Sequence, residues 1–157
     1  MSSTGTRRTR FTQLVLAAVA LTFCAIPAHS DGPKVATAKK EVLVQSDHSW
    51  DGTTYAPYPT GQPELTMLKI IIAPHTALPW HTHPVPNAGY VLSGDLTIHD
   101  KESGKSVTYH AGQAFPESVN RIHRGESGDT ETVLLVTYAG LKGTPTSESV
   151  KGEMKEY

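Results

Sequence analysis

Residues 81–94 read HTHPVPNAGYVLSG, and this stretch is the most informative one about the fold. Two histidines stand one residue apart, and a β-rich run follows them and ends at Ser93-Gly94. Alternate residues of a strand point to the same face, with Cα atoms roughly 6 to 7 Å apart. The pattern therefore predicts a strand that aims the imidazoles of His81 and His83 at one point, and then a turn at Gly94.

Short strand-like runs recur through the rest of the chain and are separated by Gly, Pro, Asn and Asp. No stretch after the first thirty residues shows a helical period with a cap at its start. This pattern predicts an all-β jelly-roll β-barrel, with an immunoglobulin-like sandwich as the alternative. The runs are EVLVQ at 41–45, LTMLKIIIAP at 65–74, two pieces within 89–100, KSVTYHAG at 105–112 and ETVLLVTYAG at 131–140.

The first thirty residues are typical of a secretory signal peptide. Three arginines precede an apolar run at residues 14–26, and small residues follow at 28–30. The run is shorter than the roughly 20 residues of a membrane-spanning helix, so we expect no membrane span. We expect a periplasmic or secreted protein, exported by the general or the twin-arginine route.

Composition divides the remaining chain into three parts. Residues 31–40 are small, polar and charged, and we expect a flexible linker there. Residues 41–142 hold the strand-like runs and are predicted to form the β-barrel domain. Residues 143–157 resemble the linker in composition and are predicted to be a flexible C-terminal tail.

Charge and cysteine content narrow the classes of partner and site. The 157-residue chain has a formal net charge of −1 and no cluster of basic residues after the signal, so we expect no nucleic-acid partner. Its one cysteine, Cys24, lies in the predicted signal peptide. Disulfides and thiolate metal sites are therefore excluded from the exported part, and histidines become the leading candidates for metal ligands.

A second stretch, AGQAFPESVNRIHRG at 111–125, brings in His123. Together with residues 81–94 it resembles the two signature stretches of the cupin superfamily, and the resemblance covers roughly residues 66–139. The chain is similar to small, single-domain cupins. The resemblance implies a cupin-type jelly-roll barrel that holds one divalent metal. The residues that fall on the positions of the family are His81, His83, Gly94, Gly112 and His123.

Departures from the family pattern concern the fourth ligand. Where cupins usually have a glutamate ligand, this chain has Asn87, a neutral and weaker donor. The resemblance thus implies a metal held by His81, His83 and His123, with Asn87 as a weak fourth ligand. Imidazole suits Fe, Mn, Zn, Ni and Cu alike, so the ligand type does not choose among them.

Glu117 is a candidate catalytic residue. It lies six residues before His123, and on an uninterrupted strand an even separation places both side chains on one face. It would then move a proton, orient His123 or act as a fourth ligand. The alternative is a loop carboxylate that pairs with Arg121 or Arg124.

Two functions are compatible with these residues. Three-histidine cupins include oxygenases, so the resemblance implies a metal-dependent dioxygenase or isomerase that acts on a small, oxygen-rich molecule. The alternative is a non-catalytic periplasmic protein that binds a metal or a small ligand. Cupins commonly pair through N-terminal strands, so a homodimer through residues 41–45 is left open.

Overall fold

The computed structural model describes residue 5 and residues 38–155. The predicted signal peptide and most of the predicted linker lie outside the described residues. Nine strands, all in a unit that starts at Lys40, form the regular structure of the described part. In that part no helix has the length and apolar character needed to cross a membrane. The strands are β1 (Pro63–Ile72), β2 (His81–Thr82), β3 (Asn87–Ser93), β4 (Asp95–Asp100), β5 (Ser106–His110), β6 (Ala114–Pro116), β7 (His123–Ser127), β8 (Thr132–Leu141) and β9 (Glu148–Ser149).

The strands form two antiparallel sheets, with the orders β1-β8-β3-β6 and β5-β4-β7-β2-β9. Strands β1 and β8 pair over ten residues, from Pro63 opposite Leu141 to Ile72 opposite Thr132. Strands that are adjacent in a sheet are mostly distant in sequence, which is the connectivity of a jelly roll. The predicted all-β jelly roll is confirmed.

The core lies between the inner faces of the two sheets. Burial alternates along the strands, as in β7 and β8, because successive side chains of a strand point to opposite faces. Phe115 of β6 is fully buried and its ring lies 4.7 Å from that of Tyr109. It packs against Gly89, where a Cβ atom would lie 2.2 Å from the Phe115 ring. The buried apolar residues are Ile72, Val85, Val91, Leu96, Ile98, Phe115, Leu134, Val136 and Tyr138.

The predicted turn at Ser93-Gly94 separates β3 from β4. Gly94 has a φ of +74°, in the left-handed region that glycine adopts without strain. A Cβ atom there would lie 2.5 Å from the carbonyl oxygen of Glu131. Both backbone conformation and space therefore require glycine at this turn.

The structure of two segments differs from the one predicted from the sequence pattern. The prediction of a strand at 41–45 is wrong, because no strand of the described part pairs with it, and Val42 and Leu43 remain 63% and 52% exposed. In the predicted tail, β9 pairs with β2, so that His81 lies opposite Ser149. Residues of the C-terminal segment thus lie beside the histidine pair.

Candidate metal centre

The three predicted histidines meet inside the jelly roll. His81 and His123 are the first residues of β2 and β7, and they pair directly across the sheet. His83 follows β2 by one residue, on the same face as His81. The three side chains are buried, with exposures of 3%, 2% and 1% for His81, His83 and His123.

The rings are close enough to share one ion. Ring centroids lie 4.6 to 5.0 Å apart, and one nitrogen from each ring lies within 4.8 Å of the other two. Metal–nitrogen bonds of about 2.0–2.1 Å hold ligand nitrogens closer together, at roughly 3.0–3.5 Å. A bound ion would therefore draw the rings inward slightly.

Hydrogen bonds at Nδ1 fix the orientation of each ring. The Nδ1 atoms of His81, His83 and His123 lie 2.9, 2.8 and 2.8 Å from the carbonyl oxygens of Pro79, Thr146 and Arg121. A carbonyl only accepts, so each Nδ1 carries the hydrogen and donates it. In a neutral ring Nε2 then presents a lone pair. This is the arrangement of a metal-ligating histidine, whose other nitrogen is tied to a hydrogen-bond acceptor.

Burial keeps two of the rings neutral. It lowers the pKa of His81 to about 3, and the nearby charges of His123 and His83 act in the same direction. Burial also lowers the pKa of His83 to about 4, although Glu117 opposes the change. At neutral pH these rings are therefore in the form that binds metal, since metal and proton compete for the same nitrogen.

Glu117 lies beside the histidines and does not pair with the arginines. Its Oε2 is 3.3 Å from Nε2 of His123, and the residue is 8% exposed. Burial would raise the pKa of Glu117, but the charge and the hydrogen bond of the adjacent His123 outweigh it and lower the pKa to about 2. A buried carboxylate at the open side of three imidazoles adds the negative charge that the histidines lack.

Asn87 is buried on the inner face of β3. It pairs with Tyr138 of β8, whose ring lies 5.5 Å from that of His83. Its amide nitrogen donates to Val85, and its Oδ1 has no hydrogen-bond partner among the described residues. Asn87 does not line the cavity between the histidines. Its Oδ1 is thus a buried acceptor that a cation or a water would satisfy, on a strand of the sheet opposite the one that carries His81 and His123.

The cavity between the histidines is small and mostly apolar. Its volume is about 20 Å³, which is room for roughly one water. Tyr138 also lines it, and sequence reasoning missed this residue, although the alternation along β8 places it inward. The apolar side chains that enclose it are Ile70, Leu78, Leu96, Leu134 and Val136.

Arg121, which does not line the cavity, binds two acidic side chains. Its guanidinium lies 3.1 Å from Asp100 and 3.1 Å from Asp51, two side chains that are 0% and 4% exposed. Burial would raise the pKa of Asp100, but hydrogen bonds from Ser103 and Arg121 lower it to about 2. This ion pair is therefore part of the support of the site and contributes to stability at neutral pH.

Replacement of Asp100 by asparagine is expected to change how stability depends on pH. The folded pKa of Asp100 lies below its ordinary value of 3.8, so its ionised form stabilises the fold above about pH 4. That stabilisation, about 2 kcal/mol for a shift of this size, is lost as the pH falls through 2. Urea unfolding at pH 7 and pH 2 should show the gap between wild type and Asp100→Asn shrinking by about this amount. An equal gap at both pH values would contradict the assignment.

Comparison with known proteins agrees with this fold. The family model for a cupin domain matches residues 68–138. The match lies within the region, roughly residues 66–139, in which the two signature stretches resemble the same family. A search of curated proteins gave no match.

Several solved structures are similar to this chain. The DMSP lyase DddQ from Ruegeria pomeroyi is 17% identical with a TM-score of 0.51, over 66% of this chain and 49% of that chain. An oxalate oxidase in complex with glycolate is 24% identical with a TM-score of 0.47, over 55% and 46%. An RmlC-like cupin from Shewanella frigidimarina is 21% identical with a TM-score of 0.43, over 51% and 69%. The chain spans about half the length of the first two, and the likeness to the DMSP lyase, at 17% identity, shows the fold alone.

Proposed function

We propose that the protein is a metal-dependent enzyme that holds one divalent transition metal through His81, His83 and His123. The observation that carries the proposal is the convergence of three buried imidazoles, each oriented by a backbone carbonyl, beside the buried carboxylate of Glu117. Imidazole nitrogens are donors that divalent transition metals bind. The proposed substrate is a small, oxygen-rich molecule, and the reaction is of the dioxygenase or isomerase type.

Each residue of the proposed site has a separate role. A bound metal would supply Lewis acidity or a site for dioxygen. The three histidines hold that position without adding charge, and the aliphatic walls keep bulk water out. Glu117, ionised at neutral pH, accepts a proton at Oε2 and returns it later. Asn87 is also a proposed weak fourth ligand, which requires its side chain to turn toward the cavity that it does not line.

Donor chemistry leaves Fe, Mn, Zn, Ni and Cu as candidates for the metal. Imidazole nitrogens and carboxylate or amide oxygens bind all five, whereas a thiolate would have favoured the softer ones. The metal is therefore to be identified by elemental analysis of protein purified from its native compartment.

The size of the cavity bears on the substrate. A volume of about 20 Å³ has room for one ion or one water-sized ligand. A larger molecule would have to displace lining residues before it could reach the histidines. Small substrates that chelate through oxygen are therefore the first to test.

The test is turnover by the metal-loaded protein. We expect iron-loaded protein to consume oxygen with one of a panel of small β-dicarbonyl, phenolic and sugar-acid compounds. Glu117→Gln should bind the metal but lose most of the rate, because the amide cannot accept the proton. His110→Ala is the control, since this exposed histidine pairs with Asp95 far from the cavity. Absence of turnover with every metal of the candidate set would contradict the proposal.

A non-catalytic role is the second candidate, and the small, closed cavity favours it. A protein that only stores or carries a metal or a small ligand needs no room for a substrate. This alternative requires that the bound metal has no exchangeable position. Azide added to Cu²⁺-loaded protein should leave the absorption spectrum unchanged in that case and should change it in the case of an enzyme.

Two further proposals concern the location of the protein and its oligomeric state. We infer export to the periplasm or the exterior, which the predicted signal peptide supports. We also infer a homodimer, because Val42 and Leu43 are exposed in an unpaired segment, and Leu65, Met67 and Ile71 are exposed on edge strand β1. Sedimentation of the mature protein should give twice the monomer mass, and Met67→Lys should give the monomer mass.

A further inference from the structure

A short segment, residues 117–123, supplies two of the groups at the site. It starts at Glu117 after β6 and ends at His123, the first residue of β7. The Nδ1 atom of His123 donates to the carbonyl oxygen of Arg121, two residues earlier in the same segment. The direction of the His123 ring therefore depends on where the backbone of Arg121 is held.

The side chain of Arg121 is held by carboxylates from two other parts of the chain. Asp100 at the end of β4 receives bonds of 3.1 to 3.2 Å from Nε and Nη2 of the guanidinium. Asp51, from the segment before β1, lies 3.1 Å from Nε. Glu102 also lies 3.2 Å away, but at 82% exposure it adds little.

Asp51 also binds the start of the same segment. The hydroxyl of Ser118, a residue with 0% exposure, donates to Asp51 at 3.0 Å. The backbone N–H of Ser118 lies 3.3 Å from Oε2 of Glu117. One carboxylate therefore contacts both the neighbour of Glu117 and the arginine whose carbonyl orients His123.

We propose that Arg121, clamped by Asp51 and Asp100, is a positioning residue that sets the direction of the His123 ring toward the metal position. The proposal rests on the metal centre proposed above. Without the guanidinium the segment around Arg121 is held only by the backbone hydrogen bonds of its neighbours, from Asn120 to His83 and from Lys101 to Ile122, so the Arg121 carbonyl is directed less firmly. Loss of such an outer contact to a ligating histidine typically lowers metal affinity about 10- to 100-fold.

The experiment compares Co²⁺ binding by wild type, Arg121→Met and Arg124→Met. Arg124 is the matched control, because its side chain lies over the ring of Trp80 on the outer face and does not contact Asp51 or Asp100. We expect Arg121→Met to bind Co²⁺ about 10- to 100-fold more weakly, with a shifted visible absorption spectrum. Arg124→Met should keep the affinity and the spectrum of the wild type.

Two conservative variants keep the test valid if Arg121→Met does not fold. Arg121→Lys keeps the charge but loses the planar fork, so a smaller loss of affinity is expected. Asp51→Asn keeps an oxygen for Ser118 but loses the charge that faces Arg121 and the acceptor for Ser49 and Thr53, and it should shift the spectrum in the same direction. Unchanged affinity and spectrum in the folded variants would overturn the proposal, even where their melting temperatures fall. Failure of the wild type itself to bind Co²⁺ would instead contradict the proposed metal centre.

Discussion

Replacement of His123 by alanine is expected to lower the affinity for a divalent metal by about 100-fold or more. Structural zinc sites with four ligands gain roughly 10–16 kcal/mol from the metal, or about 3 kcal/mol for each ligand. A loss of that size corresponds to more than a 100-fold change in the dissociation constant. His123 pairs with His81 across the sheet and is 1% exposed, so water cannot easily replace the lost ring.

The measurement is a competition titration with a chelator of known affinity. His110→Ala is the control, because this substitution also removes an imidazole ring, but from an exposed position. Equal metal affinities of His123→Ala and His110→Ala would show that His123 is not a ligand of the metal. A fall in both variants would point to a general loss of folded protein, which circular dichroism would detect.

Replacement of Phe115 by alanine is expected to lower the free energy of unfolding by about 3–5 kcal/mol. The ring is fully buried between Gly89 and Tyr109, and neither neighbour can move in to fill the space that it leaves. Denaturant unfolding of the metal-free protein measures the change. Val107→Ala, at a position 39% exposed, should cost less than 1 kcal/mol.

Phe115 also links the core to the site, because it lies two residues before Glu117 on the same inward face. We expect Phe115→Leu, which keeps most of the volume, to retain metal binding and to cost less stability than Phe115→Ala. A loss under 1 kcal/mol for Phe115→Ala would contradict the packing of β6 described above.

Local patterns in the sequence predicted the jelly roll, and together with the cupin resemblance they singled out the three histidines that the structure brings together. His81 and His83 are one residue apart on a strand, and the period of a strand alone places them on one face. Gly94 marks the turn because its left-handed conformation and the nearby carbonyl of Glu131 exclude a side chain. His123 came from its distance to Gly112 in the family pattern, and the structure places it opposite His81.

Contacts between distant parts of the chain could not be predicted in the same way. Asp51 binds Ser118 across 67 positions, and the Thr146 carbonyl orients His83 across 63. Neither contact leaves a periodic pattern. The strand predicted at 41–45 failed for a related reason, since β-branched residues form a strand only where a partner strand is available.

The sequence left two alternatives for the orientation of the Glu117 side chain. An even spacing to His123 favoured the inward orientation, and the nearby arginines favoured an ion pair. Asp51 and Asp100 occupy Arg121, so Glu117 is left to face the histidines. Which carboxylates an arginine selects is decided by tertiary packing, and the sequence alone does not contain that information.

The most direct test of the central claim is the metal content of the protein purified from its native compartment, beside that of a His81→Ala, His83→Ala double variant. Two of the three converging ligands are removed in the variant, and the exposed histidines remain. We predict close to one divalent transition metal ion for each wild-type chain and almost none for each chain of the variant. Equal metal content in the two proteins would contradict the assignment of the metal centre to these histidines.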